Sequence, residues 1–139
     1  MHKPRTRPGV DAIRRWNEIA INASGLDHTP VAPGENRVFG EQLGPTRSSR
    51  AMAIAHIAIF DVVNAIVGGF HGYTGIPAVH AASLDAAVAQ AAHDVLVALY
   101  PSQSGSFDML LAEDFSQIRD GRFKTNGMAL GQKAAAAIL

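Results

Sequence analysis

The stretch Ser49-Arg50-Ala51-Met52-Ala53-Ile54-Ala55-His56-Ile57-Ala58-Ile59-Phe60-Asp61-Val62-Val63-Asn64-Ala65-Ile66 decides the fold. Wound as a helix it is apolar nearly all round, which marks a central helix surrounded by others. Thr46 or Ser48 is placed to cap its start, and Gly68-Gly69 ends it, so the helix is expected over about residues 46–67. Its apolar run raises the question of a membrane span. His56, Asp61 and Asn64 interrupt that run, however, and an acidic side chain at mid-bilayer costs roughly 2.5–3.5 kcal/mol. A buried core helix is the expectation, with no membrane span.

Helices are also predicted on both sides of it. Upstream, Val10, Ile13, Trp16, Asn17, Ala20 and Ile21 share one face of a helix over 10–23, with Asp11, Arg15, Glu18 and Asn22 opposite and Gly25 as its stop. Residues 25–45 carry four glycines and three prolines without periodicity, which predicts a long irregular loop. Downstream, residues 70–82 form a second loop with Gly72, Gly75 and Pro77. Ser83 caps a third helix to about Tyr100, closed by Pro101, with Leu84, Val88, Ala91, Ala92, Val95 and Leu99 as its stripe.

Ser102 or Ser104 opens a fourth helix, with Phe107, Leu110, Leu111 and Ile118 inward, and Asp120 caps a fifth. There Gly127, Gly131 and Ala135 stand four apart. Glycine inside a helix costs about 1 kcal/mol relative to alanine, so close approach of a neighbouring helix is the expected reason for them. No stretch alternates with period two, and no repeat of solenoid length occurs. The fold class is therefore all-α, a bundle of about five helices around the helix at 46–67. It is expected as a single helical domain over 10–139, after a flexible basic tail at 1–9 (Lys3, Arg5 and Arg7 between Pro4 and Pro8). Residues 134–139 include no capping glycine, asparagine or proline, and exposed Ile138 and Leu139 are expected there, which gives the look of a cut end.

Composition narrows the function. With 47% hydrophobic and 17% charged residues in 139, the chain belongs with packed proteins rather than disordered ones. Twelve basic and twelve acidic residues cancel, so no strong field draws nucleic acid. The absence of cysteine excludes disulfides and thiolate metal sites. Asp11, Arg14, Arg15 and Glu18 break any apolar stretch after the basic start, so no secretory signal is read.

The polar residues that could carry chemistry are few. Arg50 and Asp61 fall within about 20° of each other on the helix at 46–67, with Asn64 a further turn on and His56 to another side. This line could grip an anion, but the reading adopted is structural: each group satisfies a neighbouring helix, a loop or backbone. No catalytic, cofactor-binding or metal residue is assigned. His28, His71, His80 and His93 (beside Asp94) show no i, i+4 pairing suited to zinc and no accompanying glutamate base. No Gly-x-Ser-x-Gly elbow and no phosphate-cradling glycine loop followed by lysine are present.

Four pieces of the chain resemble the N-terminal region of bacterial vanadium-dependent haloperoxidase-like proteins, relatives of type-2 phosphatidic acid phosphatases. They are Arg15-Trp16-Asn17-Glu18-Ile19-Ala20, the quoted stretch 49–66, Ala92-His93-Asp94-Val95-Leu96-Val97-Ala98-Leu99-Tyr100-Pro101, and Gly127-Met128-Ala129-Leu130-Gly131. They run in order across residues 15–131, and the second is the most specific. The resemblance implies an all-α fold and, in the whole family architecture, vanadate in a site that holds phosphate in the phosphatases. Such a site needs several fixed cationic donors and a histidine.

The family supplies these from three motifs in its C-terminal half: Lys, six residues, Arg-Pro; Pro-Ser-Gly-His; and Ser-Arg, five residues, His, three residues, Asp. In this chain Lys3 stands too close to Arg7-Pro8, and the second motif is missing. Ser49-Arg50…His56 approaches the third, but Asp61 comes one residue late. No catalytic role is therefore transferred to Arg50, His56 or Asp61.

The leading expectation is an N-terminal helical segment that is inactive alone. It would hold no cofactor itself and would pack on a missing C-terminal catalytic bundle or in a homo-oligomer. The rival is a stand-alone helical module binding a ligand or partner. A third reading is an active enzyme that completes an anion site between chains. The leading reading predicts an exposed apolar face where the other half docks.

Overall fold

A computed structural model describes residues 9–139. The described residues fold into five helices: α1 Val10–Asp27, α2 Pro45–Val67, α3 Leu84–Leu99, α4 Ser104–Ser116 and α5 Arg122–Ile138, with a 3-10 turn at Pro101–Gln103 before α4. No strand occurs among the described residues. The all-helical bundle predicted from the sequence is the fold observed.

The helix at its centre differs from the one expected. α3 packs against each of the other four helices, whereas α2 packs principally on α1, α3 and α5. Composition explains the difference. α3 carries alanine on several sides, and Ala86, Ala87, Ala89, Ala91 and Ala92 are all buried, so backbones approach it from every direction. On the α5 side the approach is closest. A Cβ added at Gly131 would lie 2.6 Å from Gln90 Cβ and 2.7 Å from the Ala87 carbonyl oxygen. One added at Gly127 would lie 2.6 Å from the Ser83 carbonyl oxygen. These two glycines are where the bundle needs them.

The helix ends show which local signals hold. Ser83 caps α3 as expected, its hydroxyl accepting the Ala86 amide at 3.1 Å. Neither Thr46 nor Ser48 caps α2. Gly44, at φ +94°, turns the chain so that Pro45 begins the helix, and Ser48 Oγ donates back to the Gly44 carbonyl. Gly25 does not stop α1, which runs on to Asp27; its φ is helical and its surroundings are open. Gly121 rather than Asp120 precedes α5, and Asp120 pairs instead with Lys124 at 2.8 Å. Neither Ser102 nor Ser104 caps α4, which Gln103 precedes without a side-chain cap.

Residues 1–8 of the expected tail lie outside the described residues. Gly9 is not part of a tail: it is buried, has φ +84°, and donates its amide to Asp85 Oδ1 at 2.7 Å. The buried stripe of α1 is Ala12, Trp16, Ala20, Ala23 and Asp27, rotated from the predicted face, so Ile21 is exposed. The rotation follows from a polar anchor. Trp16 is fully buried and donates Nε1–H to Asp114 Oδ2 at 2.7 Å, and Arg15 Nε lies 2.7 Å from Asp114 Oδ1. Arg15, expected on the solvent side, is drawn to α4 by that carboxylate. Phe107 is buried as predicted, Leu110, Leu111 and Ile118 are half-buried, and Ile138 packs on the core although Leu139 is exposed.

Candidate functional site

Each long loop is tied down by a carboxylate near the C-terminal end of the helix before it. Asp27 is fully buried and accepts the amides of Glu41 and Gln42 at 2.7 and 2.8 Å. In the same loop Arg37 donates to the carbonyls of Leu26, Thr29 and Pro30 and pairs with Glu35. That guanidinium holds the Glu35 carboxyl below its ordinary value. These bonds give a glycine- and proline-rich stretch a fixed shape without regular structure.

Asp61 does the same for the loop after α2. It is buried and accepts the amides of Tyr73 and Thr74 at 2.7 and 3.0 Å and the Thr74 hydroxyl at 2.6 Å. Asn64 accepts the Phe70 amide at 3.0 Å. The predicted polar line on α2 is therefore divided. Asp61 and Asn64 organise residues 68–74, while Arg50 and His56 are exposed. Among the described residues no ion pair joins Arg50 to Asp61.

The other histidines serve separate places. His28 bonds Ser24 and Gly44, and His80 bonds the Ile66 carbonyl. His93 faces Asp94 and Asp108, with 2.7 Å to each from its two ring nitrogens. The Asp108 contact crosses from α3 to α4 and was missed in sequence, because nothing local links positions fifteen apart. Among the described residues no group of His, Asp or Glu side chains converges to hold a metal ion.

A vanadate or phosphate site can be tested against these positions. Arg50 and His56 are exposed, and the carboxylate of Asp61 on the same helix is spent on the loop. Arg119, Arg122 and Lys124 line one cavity, but Asp85 and Asp120 line it too and no described histidine does. Lys124 is itself engaged by Asp120 and by the carbonyls of Phe115 and Ile118. Neither the Arg50 and His56 positions nor this cavity brings several cations around a histidine, as an oxyanion centre needs.

What α2 does present is an apolar outer face. Ala53, His56, Ile57, Phe60, Asn64 and Val67 follow one another along its solvent side. Phe60 is 42% exposed and Val67 66%. Because Asn64 and Asp61 draw the following loop onto the end of the helix, Phe70 is set beside Phe60, with ring centroids 6.5 Å apart, and is 77% exposed. Tyr73 is 70% exposed. A second exposed apolar group, Val38, Phe39 and Leu43, lies in the first long loop. By length and composition, α2 is also the one helix among the described residues apolar enough to cross a membrane.

Compared with protein-family models, curated proteins and solved structures, the chain matches none of them.

Proposed function

We propose that this chain is the helical, non-catalytic N-terminal part of a vanadium-dependent haloperoxidase-like protein, and that the outer face of α2 seats the catalytic bundle. The observation that carries the reading is the stripe from Ala53 to Val67, extended by Phe70. Its part from Ala53 to Asn64 lies in the stretch, 49–66, that bears the most specific resemblance to that family. Large apolar side chains in solvent next to one another mark a contact surface more often than a free one. The inner half of the same helix is already committed to α1, α3 and α5.

On this reading the chain supports and orients the partner bundle, and the oxyanion, with its lysine, arginines and histidine, belongs to the other half. Two measurements test it. The coding sequence beyond residue 139 should encode the three family motifs in frame or after a frameshift. The isolated chain should bind no vanadate in a titration followed by vanadium NMR and should show no peroxidase or phosphatase activity. Vanadate held tightly near Arg50 and His56 would overturn the proposal. An unrelated gene after a genuine stop would favour the stand-alone binding module instead.

A further inference from the structure

His93 occupies an unusual position in this bundle. Its side chain is 13% exposed, Nδ1 is 2.7 Å from Asp94 Oδ1 and Nε2 is 2.7 Å from Asp108 Oδ1. A neutral imidazole has one N–H donor and one lone pair. Placed between two carboxylates, it would turn that lone pair toward an anionic oxygen. Only the imidazolium donates to both sides, so this geometry favours the bound proton.

The two carboxylates are not equivalent. Asp94 sits next to His93 on α3, is 27% exposed and also accepts Gln90 Nε2–H at 2.8 Å. Asp108 stands on α4, is 66% exposed and makes no other hydrogen bond among the described residues. The charged groups acting on the ring are these two, Asp94 from its own helix and Asp108 from α4, and neither is a cation.

We propose that His93 is a proton-operated latch between α3 and α4: protonated, it ties Asp108 to α3, and deprotonated, it keeps Asp94 and releases Asp108. The proton leaves Nε2 for solvent, the freed lone pair faces the Asp108 carboxylate, and that exposed side chain turns to water. The rest of α4 stays attached through Trp16 and Arg15 at Asp114, so the release is local to its N-terminal half. The Asp94 bond, opposed by partial burial and supported by Asp108, holds the His93 pKa above its ordinary value of 6.5. The sign follows. For a group whose folded-state pKa is raised, the stabilisation is complete below about 6.5 and is lost as pH rises through the higher folded value. The latch is thus closed in mildly acidic solution and opens toward the alkaline side.

The test uses the intact chain. Imidazole nitrogen NMR follows His93 across pH 5–9 while hydrogen exchange compares amides of α4 with amides of α5, their ratio cancelling the intrinsic pH dependence of exchange. The expected result is a midpoint above 6.5 and a roughly three- to tenfold fall in relative protection of residues 104–110 through it. Asp108→Asn, at an exposed position that should not affect folding, should lower the His93 midpoint and remove most of the pH-dependent fall. If His93 titrates at or below 6.5, or α4 keeps the same protection relative to α5 at every pH, the latch does not exist. An Asp108→Asn variant that behaves as the parent would also overturn it.

Discussion

Both α2 and α3 are rich in alanine with Ile, Leu and Val between, yet they end in different surroundings. Of the α3 residues only Ala98 is exposed, whereas α2 leaves Ala53, His56, Phe60 and Val67 in solvent on one side. The difference lies in where the large side chains stand. α3 presents small residues to α5 and its largest ones, Leu96 and Leu99, into the shared core, so four helices close around it. α2 turns Phe60 and Val67 outward, where no described element of this chain covers them. Apolar character alone says that a helix face is to be covered; it does not say by what.

Truncating a buried α3 side chain should have the largest effect. Leu96→Ala, at a site 1% exposed, is expected to cost about 2–5 kcal/mol in chemical denaturation. Phe60→Ala, although it removes more atoms, should fall within about 0.5 kcal/mol of the parent. Equal losses would erase the contrast between the two helices.

Next in size is the tie between α2 and its loop. Asp61→Asn replaces an acceptor of three hydrogen bonds by a group whose amide nitrogen faces donors, and about 1.5–3 kcal/mol should be lost. Limited proteolysis should then cut within residues 68–75 first. A variant that resists cleavage there would show that the carboxylate does not shape the loop. Gly131→Ala tests the closeness of α3 and α5. The clash with Gln90 and the Ala87 carbonyl outweighs the better helix propensity, for a net loss of about 1–2 kcal/mol by thermal unfolding. A gain in stability would mean that the helices sit farther apart.

The legible part of this fold is the part that local chemistry sets. Helical periodicity and the Ser83 cap located α3 because a hydroxyl followed by an apolar run has few other uses. The glycines at 127 and 131 were readable as a close approach, though the helix they approach was not. Centrality was misjudged because α2 is apolar nearly all round and sequence does not distinguish an outer face covered by its own chain from one left open. The Thr46, Ser48 and Asp120 caps failed for another reason: Gly44 and Gly121, at positive φ, turned the chain at those points instead.

On the candidate site, the position of Asp61 was legible and its partners were not. Tyr73 and Thr74 lie twelve and thirteen residues on, across a loop with no period. Asp27, Arg37 and the His93–Asp108 contact were missed likewise, each depending on a tertiary arrangement rather than on spacing.

Sedimentation and light scattering of the parent beside a Phe60→Asp/Val67→Asp double variant, with an apolar dye as reporter, probe the docking face most directly. The parent should associate increasingly with concentration and light up the dye, while the double variant stays monomeric, dark and equally stable to heat. A parent that remains a dye-free monomer at every concentration would contradict the proposal that α2 carries an interface.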